Sequence, residues 1–137
     1  MRGVHDARNS AATRPYSPAV IVGEWVHLSG HVPVDQSGTT YGSNMAEQAT
    51  RVLENLSNTL ESAGASLAEV VSTTVYVTDI SLIDDIDAVY RAFFQGHPYP
   101  ARTTVEVAAL ARSDFSVEIS AIAHLPATKD ANDRADG

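Results

Sequence analysis

Cysteine is absent from the sequence. That excludes disulfides, thiolate metal centres and a cysteine nucleophile together. Lysine is almost absent, with Lys129 its only occurrence. A Schiff-base lysine in the central part of the chain and a phosphate-binding Walker loop are excluded with it. No run of about 18 apolar residues occurs, the length a helix needs to cross a bilayer. The first residues lack the apolar stretch of a signal peptide, so the sequence predicts a cytoplasmic protein. Positive charge is also scarce. Nine Lys+Arg stand against seventeen Asp+Glu in 137 residues, a formal charge of −8. A balance this acidic argues against nucleic acid and anionic membrane as partners, because neutralising phosphate takes clustered Lys and Arg.

The distribution of charge is more telling than its sum. Between residues 15 and 126 there are thirteen acids and four bases, Arg51, Arg91, Arg102 and Arg112. A small anion bound there by charge must be held by one of these four. The length suits one domain with a real core. Residues 1–13 are polar and aperiodic and read as a flexible arm, 14–126 as a single α+β domain, and 127–137 as a disordered tail.

Within the domain, Ala19–Val22 and Glu24–Ser29 flank Gly23 as a hairpin. Residues 30–38 carry turn chemistry and read as a loop, and 39–41 as a short strand. Asn44 and Glu47 have the spacing of a capping box, and apolar residues from Ala49 to Ala63 recur at helical period up to a Gly64 stop. Glu47 and Arg51 are placed for an i,i+4 pair. Val70–Val77 is β-branched almost throughout and reads as a strand. A second helix is predicted over 82–95, and two last strands over 103–107 and 116–123. The order ββαβαββ predicts a mixed sheet with two helices on one face. The other sheet face stays partly apolar, which a chain of this size commonly buries by oligomerising.

Two residues stand out chemically. Arg102 lies where the Pro100 loop runs into a strand, a place from which a guanidinium grips a carboxylate through two parallel bonds. From spacing alone, a surface arginine paired with an acid is the commoner reading. Glu118 alternates with Val117 and Ile119 in an apolar strand. There it has either a raised pKa suited to moving a proton on water, or a place on a wetted sheet face. His5, His27, His31, His97 and His124 share no metal-binding spacing, so no metal site is predicted. Ser29-Gly30 lacks the nucleophile elbow of a serine hydrolase. Tyr16, Tyr76 and Tyr90 read as packing residues.

Several segments together resemble the Rid family (YjgF family) of reactive-intermediate imine/enamine deaminases. They are RPYSPAV at 14–20, VHLSGHVP at 26–33, the Gln48–Gly64 helix, VSTTVYVTD at 71–79, VYRAFF at 89–94, PARTTVEVAAL at 100–110 and the strand at 117–123. The resemblance implies a chorismate-mutase-like α+β fold, a homotrimer with clefts between subunits, and cofactor-free hydrolysis of 2-imino or enamine acids such as 2-aminoacrylate. By motif position it puts the carboxylate-binding arginine at Arg102 and the water-positioning glutamate at Glu118. Tyr16, Gly30, His31, Asp87 and Thr104 fall on substrate-binding positions. Four departures mark this chain: His31 where Gln is usual, Thr104 for Cys or Ser, Asp87 for Asn, and Ser120 for a second glutamate. Rival readings are a non-catalytic trimeric module for a small carboxylate metabolite and a pathway deaminase for a larger enamine such as an aminomuconate. Chorismate mutase activity rests on fold analogy alone and ranks last.

Overall fold

The structure, a computed structural model, describes residues 1–5, 14–95 and 98–127. Six strands form one sheet: β1 (Arg2–Val4), β2 (Ala19–Val22), β3 (Trp25–His31), β4 (Val70–Val77), β5 (Ala101–Glu106) and β6 (Val117–His124), in the order β1-β2-β3-β6-β4-β5. Two helices, α1 (Met45–Ser62) and α2 (Ile83–Phe93), pack on one face. β4 and β5 run parallel, joined by α2, and the other pairs are antiparallel. The fold is α+β, as the sequence pattern predicts.

The side-chain alternation of β6 sets the two sheet faces. Val117, Ile119, Ala121 and Ala123 are buried against the helices. Glu118, Ser120, Ile122 and His124 point to the opposite face. Registry extends this division to the neighbouring strands. Tyr76 of β4 lies across from Glu118, Thr74 from Ser120 and Ser72 from Ile122. On β5, Thr104 lies across from Val75, which is fully buried, and Arg102 across from Thr73, which is 4% exposed. Arg102 and Thr104 are therefore on the helix face, and Thr103 and Val105 on the open one. The open face leaves Val22, Trp25, Val71 and Val105 exposed.

α1 begins where Asn44 Oδ1 accepts from the Glu47 N–H at 2.9 Å, and the chain turns away at Gly64 with φ +85°. Its polar stripe serves as a clamp. Gln48 Oε1 accepts from the backbone and hydroxyl of Ser116 at 2.7 Å each, and its Nε2 donates to the Asp114 carbonyl at 2.7 Å. Asn55 donates to the carbonyls of Val32 and Val34. The segments that follow β3 and precede β6, at one end of the sheet, thus have backbone groups satisfied from one helix.

Four expectations change. Arg2–Val4, placed by sequence in a loose arm, is an edge strand on β2, because Val4 is 3% exposed and joins the core. Residues 39–41 contribute a single bridge, Val34 to Thr40. Glu47 turns back to the Ser43 N–H, and Arg51 pairs instead with Glu54 at 3.3 Å. Finally, β3 continues through Gly30 and His31, which the sequence placed in a loop. Residues 6–13, 96–97 and 128–137 lie outside the described residues, so most of the arm, His97 and nearly all of the expected tail are not placed.

Candidate active site

Between Leu28 and His31 the pairing of β3 with β6 slips by a residue: Leu28 faces Ala121, and His31 faces Ile119. The bulge reverses the alternation, so His31 turns inward behind Leu28. The residue is 7% exposed, and its ring nitrogens lie 2.8 Å from Thr59 Oγ1 and 2.7 Å from the Ser29 carbonyl. Burial lowers its pKa below the usual histidine value. His31, expected at a substrate-binding position, is instead a strut between β3 and α1.

The same bulge brings Gly30 beside Glu118. A methyl group on Gly30 would lie 2.7 Å from the Glu118 carboxyl carbon and 3.0 Å from its Cγ. Glycine is required here for space, not for backbone conformation, since its φ is not positive. The carboxylate lies flat against this backbone, and partial burial raises its pKa. Ser29 reaches the other way, donating from Oγ to the Ser17 carbonyl at 2.6 Å and from its N–H to the Pro18 carbonyl. The segment that follows Tyr16 is thereby bound alongside β3, with Tyr16 itself 54% exposed. Gly30 and Glu118 form one group, and Tyr16 immediately precedes the segment bound to Ser29.

Arg102 belongs to a second group, on the helix face. Its Nη1 is 2.8 Å from Asp87 Oδ1, with about a quarter of each side chain exposed. The approach lies off the hydrogen-bonding angle, so the contact is a charge pair. The guanidinium also lies over the Tyr90 ring, 5.0 Å from its centroid. Tyr90 is held in turn by a 2.8 Å bond between its hydroxyl and Thr73 Oγ1, and burial raises its pKa. Asp87, Tyr90, Arg91, Tyr99, Pro100 and Arg102 line an open cavity of about 220 Å³. Thr104 Oγ1, two residues along β5, is buried and without a hydrogen-bond partner among the described residues.

The sequence pattern reads Tyr90 as packing, draws no attention to Tyr99, and offers Arg91 only as one of four candidate anion-holding arginines. The spacing Asp87, Tyr90, Arg91 on α2 is the available signal, since i, i+3 and i+4 share one helix face. The seven expected site residues thus separate. Asp87, Arg102 and Thr104 gather on the helix side of β5. Gly30 and Glu118 meet at β3 on the open face, Tyr16 lies exposed ahead of the segment bound alongside β3, and His31 belongs to the core. Among the described residues no three His, Asp or Glu side chains are placed to hold a metal ion, and no helix is long and apolar enough to cross a membrane.

Comparison with known proteins bears on this arrangement. The family model described as Endoribonuclease L-PSP matches residues 7–125. A RutC family protein of Saccharolobus solfataricus is 44% identical over 110 residues, covering 80% of this chain and 86% of that one. The 2-iminobutanoate/2-iminopropanoate deaminase of Salmonella typhimurium is 40% identical over 115 residues, covering 82% and 89%. The crystal structure of RidA from an Antarctic Psychrobacter superposes with a TM-score of 0.86 at 35% identity, covering 91% of this chain and all of that one. On these grounds the chain belongs to the Endoribonuclease L-PSP (Rid/YjgF) family.

Proposed function

We propose that this protein hydrolyses 2-imino and enamine acids to 2-oxo acids and ammonia, without a cofactor, at sites shared between subunits of a homotrimer. The observation that carries the reading is the environment of Glu118, a carboxylate with a raised pKa seated on a glycine that leaves it room. The deaminase name of a relative at 40% identity supports it. Arg102 binds the substrate carboxylate through guanidinium N–H groups that Asp87 does not engage. Tyr90, stacked under the guanidinium, keeps the planar group in one orientation. Glu118 accepts a proton from water as its oxygen bonds to the imine carbon. Glu118 returns that proton to the nitrogen of the tetrahedral adduct, and the C–N bond then breaks to release ammonia as the adduct's hydroxyl loses its proton to solvent and becomes the 2-oxo group. A protonated imine is already electrophilic, so a modest acceleration suffices and a simple site can supply it.

Arg102 and Glu118 lie on opposite faces of one sheet, so one chain does not join them. Two chains meeting with one chain's open face against the other's β5 edge would. The exposed Val22, Trp25, Val71 and Val105 give such a contact its apolar surface. RNA cleavage, which the family description's wording raises, is disfavoured by the −8 charge and the scarcity of arginine.

The test is a coupled assay. A serine or threonine dehydratase generates the 2-amino enoate in place, and release of free 2-oxo acid is followed with and without this protein. Wild type should accelerate release, and Arg102→Ala should lose roughly 10²-fold in kcat/KM. A folded trimer without acceleration would refute the deaminase reading. An Arg102→Ala variant with wild-type turnover would remove the anchor from it.

A further inference from the structure

Asp87 gives the anchor a feature that carboxylate binding alone does not need. A site built only to hold an anion gains from an unopposed arginine. Here the guanidinium stands 2.8 Å from a carboxylate, and both side chains keep about a quarter of their surface open. Both line the same cavity. The cavity wall thus presents a positive and a negative charge side by side. Asp87 Oδ1 is itself buried against the guanidinium, so what Asp87 presents to the cavity is the remaining, exposed part of its side chain. The complement of such a wall is a ligand with a negative and a positive group one carbon apart, laid antiparallel to the pair.

We propose that Asp87 is a specificity-determining residue that makes this site select zwitterionic 2-iminium (and 2-ammonium) carboxylates over simple 2-oxo acids. The inference rests on the reading of Arg102 as carboxylate anchor. Arg102 takes the ligand carboxylate, and Asp87 accepts from the adjacent nitrogen-bound protons. A 2-oxo acid offers a carbonyl oxygen at that place, so it gains nothing from Asp87 and its carboxylate is repelled. The reaction converts the first kind of molecule into the second. Asp87 therefore favours substrate over product at one site, and speeds product departure. Arg91, one turn along α2 and also on the cavity wall, keeps the local charge positive overall, so the carboxylate is still attracted.

The experiment measures binding, not turnover. L-alanine and pyruvate are unreactive probes that differ at the nitrogen-bearing position. Their dissociation constants are measured at pH 7 by titration calorimetry or NMR shift for wild type, Asp87→Asn and Arg102→Ala. Wild type should bind L-alanine more tightly than pyruvate. Asp87→Asn keeps the side-chain shape and removes the charge, so the preference should fall at least roughly tenfold, for unit charges about 5 Å apart at a partly exposed site. Asp87→Ser, which cannot mimic the carboxylate shape, should shift it in the same direction. An unchanged preference in folded Asp87→Asn, with both ligands lost in Arg102→Ala, overturns the role of Asp87 and leaves the anchor standing. Equal binding by wild type and Arg102→Ala, or binding of neither probe by wild type, overturns the anchor and this inference with it.

Discussion

Replacing Gly30 by alanine tests the geometry around Glu118 more sharply than replacing Glu118 itself. The added methyl would stand 2.7 Å from the carboxyl carbon, whereas ordinary contact begins at 3.4 Å. The carboxyl group must therefore withdraw by about 0.7 Å or more. The backbone at Gly30 is open to any residue, so alanine adds no φ strain, and its reduced freedom in the unfolded chain partly offsets the crowding. The protein should fold, with a melting temperature within a few degrees of wild type. Catalysis should suffer far more, because displacing a proton-transfer group by about 1 Å costs on the order of 10²-fold. The assay is the dehydratase-coupled release of 2-oxo acid, with kcat read separately from KM. The decisive control is Glu118→Ala. With the carboxylate gone, Gly30→Ala has nothing to displace, and adding it should cost less than about twofold. Two results would refute the reasoning: a Gly30→Ala enzyme with wild-type kcat, or an equal loss from Gly30→Ala in both backgrounds.

Further tests address titration. Glu118→Gln should lower kcat by roughly 10²- to 10⁴-fold in a protein that remains folded. The acidic limb of the wild-type rate profile should lie above the ordinary glutamate range and vanish in the variant, because the base works only when ionised. The same raised pKa means the folded state holds this proton more tightly than the unfolded chain. Stability from it is present at low pH and lost as pH rises through the raised value, so Glu118→Gln should melt higher than wild type at pH 7 but not at pH 4. His31 has the opposite sense. The unfolded chain takes up a proton below about pH 6.5, whereas the buried ring resists it. Wild-type stability should therefore fall as pH drops below that value, and a melting-temperature series on the His31→Gln variant should lack this component. His31→Ala should cost about 2 kcal/mol near neutral pH, since Thr59 and the Ser29 carbonyl lose a partner.

Strand and helix positions are legible in the sequence because their signals are local. The β-branched run 70–77, the Asn44 cap and the Gly64 stop mark elements that the structure reproduces. The faces of the two candidate residues are legible in part. Alternation assigns Glu118 to one face of β6, but the face of Arg102 depends on the parallel registry of β5 with β4, which no local pattern encodes. His31 escapes sequence reading for a different reason. A bulge of one residue reverses every side chain beyond it, and only the pairing with β6 reveals the bulge. The strand at Arg2–Val4 is hidden because three residues carry no periodicity, and only its pairing with Ile21, Val20 and Ala19 makes it a strand. The Gln48 and Asn55 positions of α1, polar residues on a buried stripe, are legible as a pattern but not as a purpose. Their purpose is to satisfy the carbonyls and amides of segments distant in sequence.

The separation of Arg102 from Glu118 has a consequence that mixing experiments can read. If each site takes its arginine from one chain and its glutamate from a neighbour, neither Arg102→Ala nor Glu118→Ala alone can build an intact site. Mixed oligomers can. An intact site needs an arginine donor carrying the Glu118→Ala change next to a glutamate donor carrying the Arg102→Ala change. With equal amounts and random exchange, each condition is met half the time, so about one quarter of sites should be wild type in composition. Activity of the unfolded-and-reassembled mixture should therefore rise well above either parent, toward about a quarter of wild type per site. Sites assembled from both groups of a single chain would show no recovery at any mixing ratio. Such a result would require Arg102 and Glu118 to reach one substrate from opposite faces of their own sheet, and it would remove the shared-site mechanism.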